Sequence, residues 1–120
     1  MTTHESITIL PLMEDQTRSL AKIFLDGVNA AVRNRECRIT YEVVCGEGVM
    51  SIEGELHELR PGVCITVEPG KAYQDMGKLS MLATSEPPFR ADQVEMAEPQ
   101  LPLAFGDEIH HAFQATEVVV

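Results

Sequence analysis

Two arginines, two tyrosines and one aspartate are the residues of this 120-residue chain whose types and spacing could do chemistry: Arg33 and Arg35, Tyr41 and Tyr73, and Asp75. The run Arg33-Asn-Arg-Glu-Cys-Arg38 puts three of the nine basic residues within six positions, in a chain that carries nineteen acids. A guanidinium is a rigid fork of donors that grips a carboxylate or phosphate through charge-assisted hydrogen bonds, each worth about 1.5–3 kcal/mol. The two tyrosines each offer a hydroxyl that donates or accepts. Asp75, two residues past Tyr73, is a candidate base or an internal partner for the arginines. No Ser-His-Asp or Cys-His arrangement is readable. Gly46-Glu-Gly48 is read as a turn and not as a phosphate loop, because no helix follows it.

The elements that must position these residues read as short strands. Thr40 to Glu55 looks like a hairpin, with Gly46 and Gly48 bracketing a tight turn and Gly54-Glu55 turning the chain again. Leu56 to Leu59 is a short strand, Arg60-Pro61-Gly62 a turn and Val63 to Val67 a strand. Glu68-Pro69-Gly70 breaks it, and Leu79 to Thr84 follows before Pro87-Pro88. Ser6 to Met13 is an N-terminal strand and Glu14-Asp15-Gln16 a turn. Alternation puts Ile39, Tyr41, Val43 and Cys45 on one face and Thr40, Glu42 and Val44 on the other, and the charge on Glu42 marks the second face as outward, so Tyr41 points in. Turn signals every eight to twelve residues imply an all-β sandwich or barrel. From Thr17 to Asp26 the pattern also suits a short helix closed by Gly27.

Composition bounds the function. At 13.3 kDa the chain reads as one domain with one core. A net charge of -10, a pI near 4.7, 5% aromatic residues and no tryptophan oppose binding to nucleic acid or to an anionic membrane surface. The first residues lack a basic and apolar leader pattern, and no run approaches the length needed to span a bilayer, so the protein is expected in the cytoplasm. Cys37, Cys45 and Cys64 are an odd number without a C-x-x-C pair, and read as buried reduced thiols. His110 and His111, being adjacent, diverge on a strand or a helix and cannot jointly hold one ion there; His4 and His57 read as solvated.

The glycines carry a resemblance. Gly27 and Gly46 have the spacing of the glycines that bound the first motif of the cupins, and Gly62 and Gly70 that of the second. The chain therefore resembles a small single-domain cupin of the RmlC-like superfamily, over residues 20 to 90. The resemblance implies an all-β, antiparallel double-stranded β-helix (jelly-roll) barrel, with 17–26 a strand, 6–13 an N-terminal strand that pairs with a second subunit in a homodimer, and 91–120 a C-terminal extension packed across the barrel or on its neighbour. At the positions where metal-binding cupins carry ligands stand Arg33, Arg35, Ile39 and Tyr73. An arginine cannot deprotonate and repels a divalent cation, so no metal and no other cofactor is expected.

If Arg33 and Arg35 keep the orientation of the residues they replace, both guanidinium groups point into the barrel mouth. The expectation is then a metal-free cupin that binds a small anionic or polyhydroxylated ligand through Arg33, Arg35, Tyr41 and Tyr73. Tyr73 or Asp75 would move a proton, as in a sugar or carboxylate isomerase, epimerase or cyclase. The alternatives are arginines that bulge to solvent and pair with Glu36 or the acidic tail, or that sit in a dimer interface, around a filled barrel that binds or interacts without catalysis.

Overall fold

The computed structural model describes residues 2–3 and 6–100. Nine strands, all paired antiparallel, make up one curled sheet: β1 (Thr2–Thr3), β2 (Ile7–Glu14), β3 (Ser19–Val28), β4 (Val32–Asn34), β5 (Arg38–Ile52), β6 (Glu55–Leu59), β7 (Cys64–Val67), β8 (Ala72–Glu86) and β9 (Val94–Met96). The segment expected at 17–26 is strand from Ser19 on, extending to Val28, because Ile23 and Leu25 face the core and Phe24 and Asp26 face out, a period of two that a helix would not give. The turn before it is closed by Asp15, whose Oδ1 accepts from the backbone and hydroxyl of Thr17 and from the backbone of Arg18.

Strand β8 is central. One of its edges pairs with β3 from Met76 to Ser85 and with β4 at Ala72 and Tyr73, while the other pairs with β5 from Tyr73 to Glu86. The free edge of β5 takes β7 at one end and β6 at the other. Residues directly opposed across an antiparallel pair share a face, and the inward face gathers Ile23, Leu25, Ile39, Tyr41, Val43, Met50, Leu59, Val67, Tyr73, Leu79, Met81 and Ala83 into one core. Burial of these side chains, worth about 1.5–3 kcal/mol for each large one, drives the sheet to curl.

The turn expected at Gly46–Gly48 is absent. Strand β5 runs unbroken from Arg38 to Ile52, interrupted only by a bulge between Val43 and Cys45 that leaves Val44 exposed. The hairpin turns instead at Glu53-Gly54, both at positive φ (50° and 85°), as a two-residue connection between right-twisted strands requires. The glycines inside β5 answer a different demand. Gly48 lies opposite Gly77 of β8, and Gly77 lies opposite Gly27 of β3, so three glycines form one row across the sheet. A Cβ on Gly48 would stand 2.4 Å from the carbonyl oxygen of Met76, and one on Gly77 would stand 2.4 Å from that of Glu47. The backbones approach here more closely than any side chain permits.

Of the thiols, only Cys37 is buried; Cys45 and Cys64 are exposed on the outer face, which corrects the expectation of three buried cysteines. The bulge sets this: it moves Cys45 off the face of Tyr41 and Val43 and opposite Ser80, whose hydroxyl it meets at 3.0 Å. Residues 91–96 add a 3₁₀ turn and β9 to the edge of β4. The apolar pieces at 101–105 and 118–120, His110 and His111 lie outside the described residues, as does His4. Among the described residues no helix is long and apolar enough to cross a membrane.

Substituting Gly48→Ala or Gly77→Ala is expected to destabilise the fold by about 2–4 kcal/mol, because rigid backbone must move. Gly54→Ala, with open space but positive φ, is expected to cost about 1 kcal/mol. Urea denaturation of the three variants checks the order; equal losses would contradict it.

Candidate functional site

Two long strands carry the two tyrosines and the carboxyl that face into the barrel. Tyr41 projects from β5 opposite Ala83, and Tyr73 from β8 between Ile52 on one side and Val32 on the other. Their rings lie 6.0 Å apart at 54°, and the Tyr41 hydroxyl donates to the Tyr73 hydroxyl at 2.9 Å. Two hydroxyls joined by one bond leave one phenolic proton over, and no acceptor for it appears among the described residues. Asp75 is two residues along the same face, opposite Met50.

Asn29 holds Asp75. Its Nδ2 donates to Asp75 Oδ1 at 3.1 Å and its backbone N–H to the Asp75 carbonyl at 3.0 Å, while its own carbonyl accepts from Gln74 Nε2 at 2.9 Å. Tyr41, Tyr73 and Asp75 are 5%, 7% and 3% exposed, so each has lost its water. Desolvation leads every shift. It drives Tyr41 well above the ordinary phenol range, with Tyr73 and Asp75 adding to the effect. It lifts Tyr73 to about 12, with Asp75 raising it further and the bond from Tyr41 opposing. It raises the Asp75 carboxyl against the bond from Asn29. Both phenols are therefore neutral donors at physiological pH, and the carboxyl is the group whose charge is costly.

Arg33 and Arg35 do not join this cluster. In β4 the inward positions are Val32 and Asn34, so Arg33 points out; its Nε donates to the Gly70 carbonyl at 2.9 Å and its Nη1 lies 3.5 Å from Glu95. Arg35 falls past the strand end, 56% exposed, with Nε 3.8 Å from the same Glu95. The expectation that both guanidinium groups enter the barrel mouth is corrected: β9 lies alongside β4, and its Glu95, opposite Arg33, draws them to its side. The side chain they leave inside is Asn34. It is 4% exposed, and its Oδ1 accepts from the backbones of Glu36 and Cys37 at 2.9 and 2.8 Å. Cys37, 1% exposed, donates Sγ to the Pro87 carbonyl at 3.2 Å, and burial pushes its thiol up. The signal for Asn34 was present in the sequence, since an inward Val32 requires an inward residue 34.

The residues that the sequence resemblance sets at cupin metal-ligand positions do not fit a divalent ion. Arg33 and Arg35 face away, Ile39 has no donor atom, and the Tyr73 phenol resists ionisation. Among the described residues no three His, Cys, Asp or Glu side chains come together as an ion site. His57 is half-buried, 3.8 Å from Glu55.

No family model and no curated protein sequence matches the chain. Solved structures do. Streptomyces PAC13, a protein described as a nucleoside dehydratase, is similar in a variant with uridine at 20% identity and a TM-score of 0.75, over 81% of this chain and 82% of that one. KdgF from a Halomonas species gives 16%, a TM-score of 0.70, and 77% and 87%. A protein with a double-stranded β-helix domain from Klebsiella pneumoniae subsp. pneumoniae gives 15%, a TM-score of 0.69, and 82% and 90%. Such identities speak for architecture alone, and together with the curled antiparallel sheet they establish that this chain has the small-cupin fold, a double-stranded β-helix barrel.

Proposed function

We propose that the barrel binds a small polyhydroxylated ligand and acts on it by moving a proton, with Asp75 as the base and the Tyr41–Tyr73 pair as hydrogen-bond donors. One observation carries this: two phenols and a carboxyl are buried together on the inner face of β5 and β8, where packing alone would favour apolar side chains. A carboxyl whose pKa is raised by desolvation accepts a proton more readily than an exposed one. A phenol pushed to about 12 stays protonated and donates to the oxygen where negative charge develops. These roles suit isomerisation, epimerisation, cyclisation or elimination next to a carbonyl. The similarity to PAC13, solved with uridine, supports a neutral sugar-bearing ligand. The outward arginines weaken the anionic alternative, since they offer the interior no fixed positive charge.

A second reading has an observation in its favour. Tyr41, Tyr73 and Asp75 are each nine-tenths buried among Met50, Met81 and Leu79, as they would be in a filled barrel that binds partners without catalysis. A thermal-shift screen with uridine, pentoses and sugar acids separates the two. A ligand binding the native state at a hundredfold excess over Kd stabilises by about 2.7 kcal/mol. The proton-transfer reading expects a stabilising hit among them that Tyr73→Phe and Tyr41→Phe each weaken about tenfold or more, the loss of one hydrogen bond to a buried group. A hit that both variants retain in full would count against the tyrosines.

The carboxyl sets a pH dependence of stability. Because folding raises the Asp75 pKa above its ordinary 3.8, the native state binds its proton more tightly than the unfolded state. Stability is thus greatest below that ordinary value and falls as pH rises from 3.8 through the raised native value. Asp75→Asn keeps an acceptor for Asn29 and carries no charge. It is expected to unfold at higher denaturant concentration than wild type at pH 7, with the difference closing toward pH 3.8, while proton-transfer activity is lost. A variant less stable than wild type at neutral pH would refute the assignment of a desolvated carboxyl.

A further inference from the structure

We infer that Asn34 anchors the ligand, donating from Nδ2 to an oxygen acceptor, carbonyl or hydroxyl, of a neutral small molecule inside the barrel; this rests on the barrel-binding function proposed above. The amide orientation is fixed. Its Oδ1 accepts from two backbone N–H groups, those of Glu36 and Cys37, and the flipped amide would set an NH₂ against two donors. Nδ2 is therefore turned away from that bend, toward the Cys37 sulfur, a weak acceptor with which it closes no hydrogen bond, and it is buried with no other partner among the described residues. A buried donor left unmade costs stability, so such groups have a reason to persist. Here the reason is positional. Asn34 follows Val32 on the same face of β4, and Val32 is paired with Tyr73. The Cys37 backbone that Asn34 caps belongs to a residue packed in one cluster with Tyr41 and Tyr73. The unpartnered amide and the spare phenolic proton thus belong to one interior.

The chemistry of the ligand follows from what surrounds it. Both unspent groups are donors, so they seek acceptors. The buried polar side chains of the described residues include no arginine or lysine, and the one buried carboxyl repels an anion whenever it is charged. A neutral molecule with accepting oxygens satisfies the donors without a counter-charge.

The test uses the full chain, labelled with ¹⁵N, titrated with uridine, uracil and D-ribose. The Asn34 side-chain NH₂ resonances are expected to shift on saturation with uridine. Asn34→Asp, which keeps an oxygen for the Glu36 and Cys37 amides and loses the donor, is expected to bind uridine about tenfold more weakly or worse. Uracil alone moving the resonances would assign the acceptor to a carbonyl, ribose alone to a hydroxyl; either supports the inference. Unchanged uridine affinity in Asn34→Asp, with Tyr73→Phe weakened, overturns the role of Asn34 and leaves barrel binding standing. No response of the wild type to any of the three probes overturns both. Should Asn34→Asp fail to fold, the wild-type resonances decide, and their standing still at saturating uridine refutes the anchor.

Discussion

The transverse row of Gly27, Gly77 and Gly48 is the constraint on which the barrel depends. At this row three neighbouring strands lack side chains on the inner face, and two of the three have φ values, 119° and 138°, that other residues rarely adopt. A sheet with Cβ atoms there would hold its strands apart and stay open. Without them β5, β8 and β3 bend together, and the two halves of each long strand line different parts of one interior. Tyr73 and Asp75 stand on one side of the row, and Leu79, Met81 and Ala83 on the other. The bend at the row thus folds the two ends of β8 toward each other, so that Tyr73 from one end meets Tyr41, which lies opposite Ala83 at the other.

Placing a carboxyl and two phenols in that interior opposes the packing that holds the sheet shut. The tyrosines offset part of the cost with their mutual bond, and Asp75 with the bond from Asn29. The Asn34 amide and one phenolic proton are not offset, and Asn29 ties its own loop to both faces of β8 by reaching Asp75 on one side and Gln74 on the other. Rigid support of this kind is what a site needs if its groups are to be held ready while empty.

Much of this was legible in the sequence, and the failures have physical causes. The spacing of Gly27, Gly46, Gly62 and Gly70 gave the fold, and alternation around Glu42 put Tyr41 inside. The same glycines misled locally: in isolation Gly46-Glu-Gly48 is a good turn, and only the pairing of β5 with a strand more than twenty residues away reveals that the glycines serve a close approach. The resemblance to motif positions points the arginines inward, whereas Val32, the apolar residue beside them, sets the parity of β4 and makes Asn34 the inward polar residue. Alternation alone puts Cys45 on the face of Tyr41, because a bulge adds one residue without leaving a mark in the pattern. Parity within a short strand is local information; parity across a bulge or a sharp bend is not.

The central position of β8 bears on how the chain reaches this shape. Neither β3 nor the long edge of β5 has its main partner until residues 72–86 exist, so Ser19 waits for Ser85 and Arg38 for Glu86. During synthesis the β2–β3 and β5–β6 hairpins can form by themselves, but their apolar faces stay uncovered until the last long strand has left the ribosome. The residues that line the interior are thus among the last to be sheltered, and the growing chain passes through a stage in which two half-sheets with sticky faces await one late arrival.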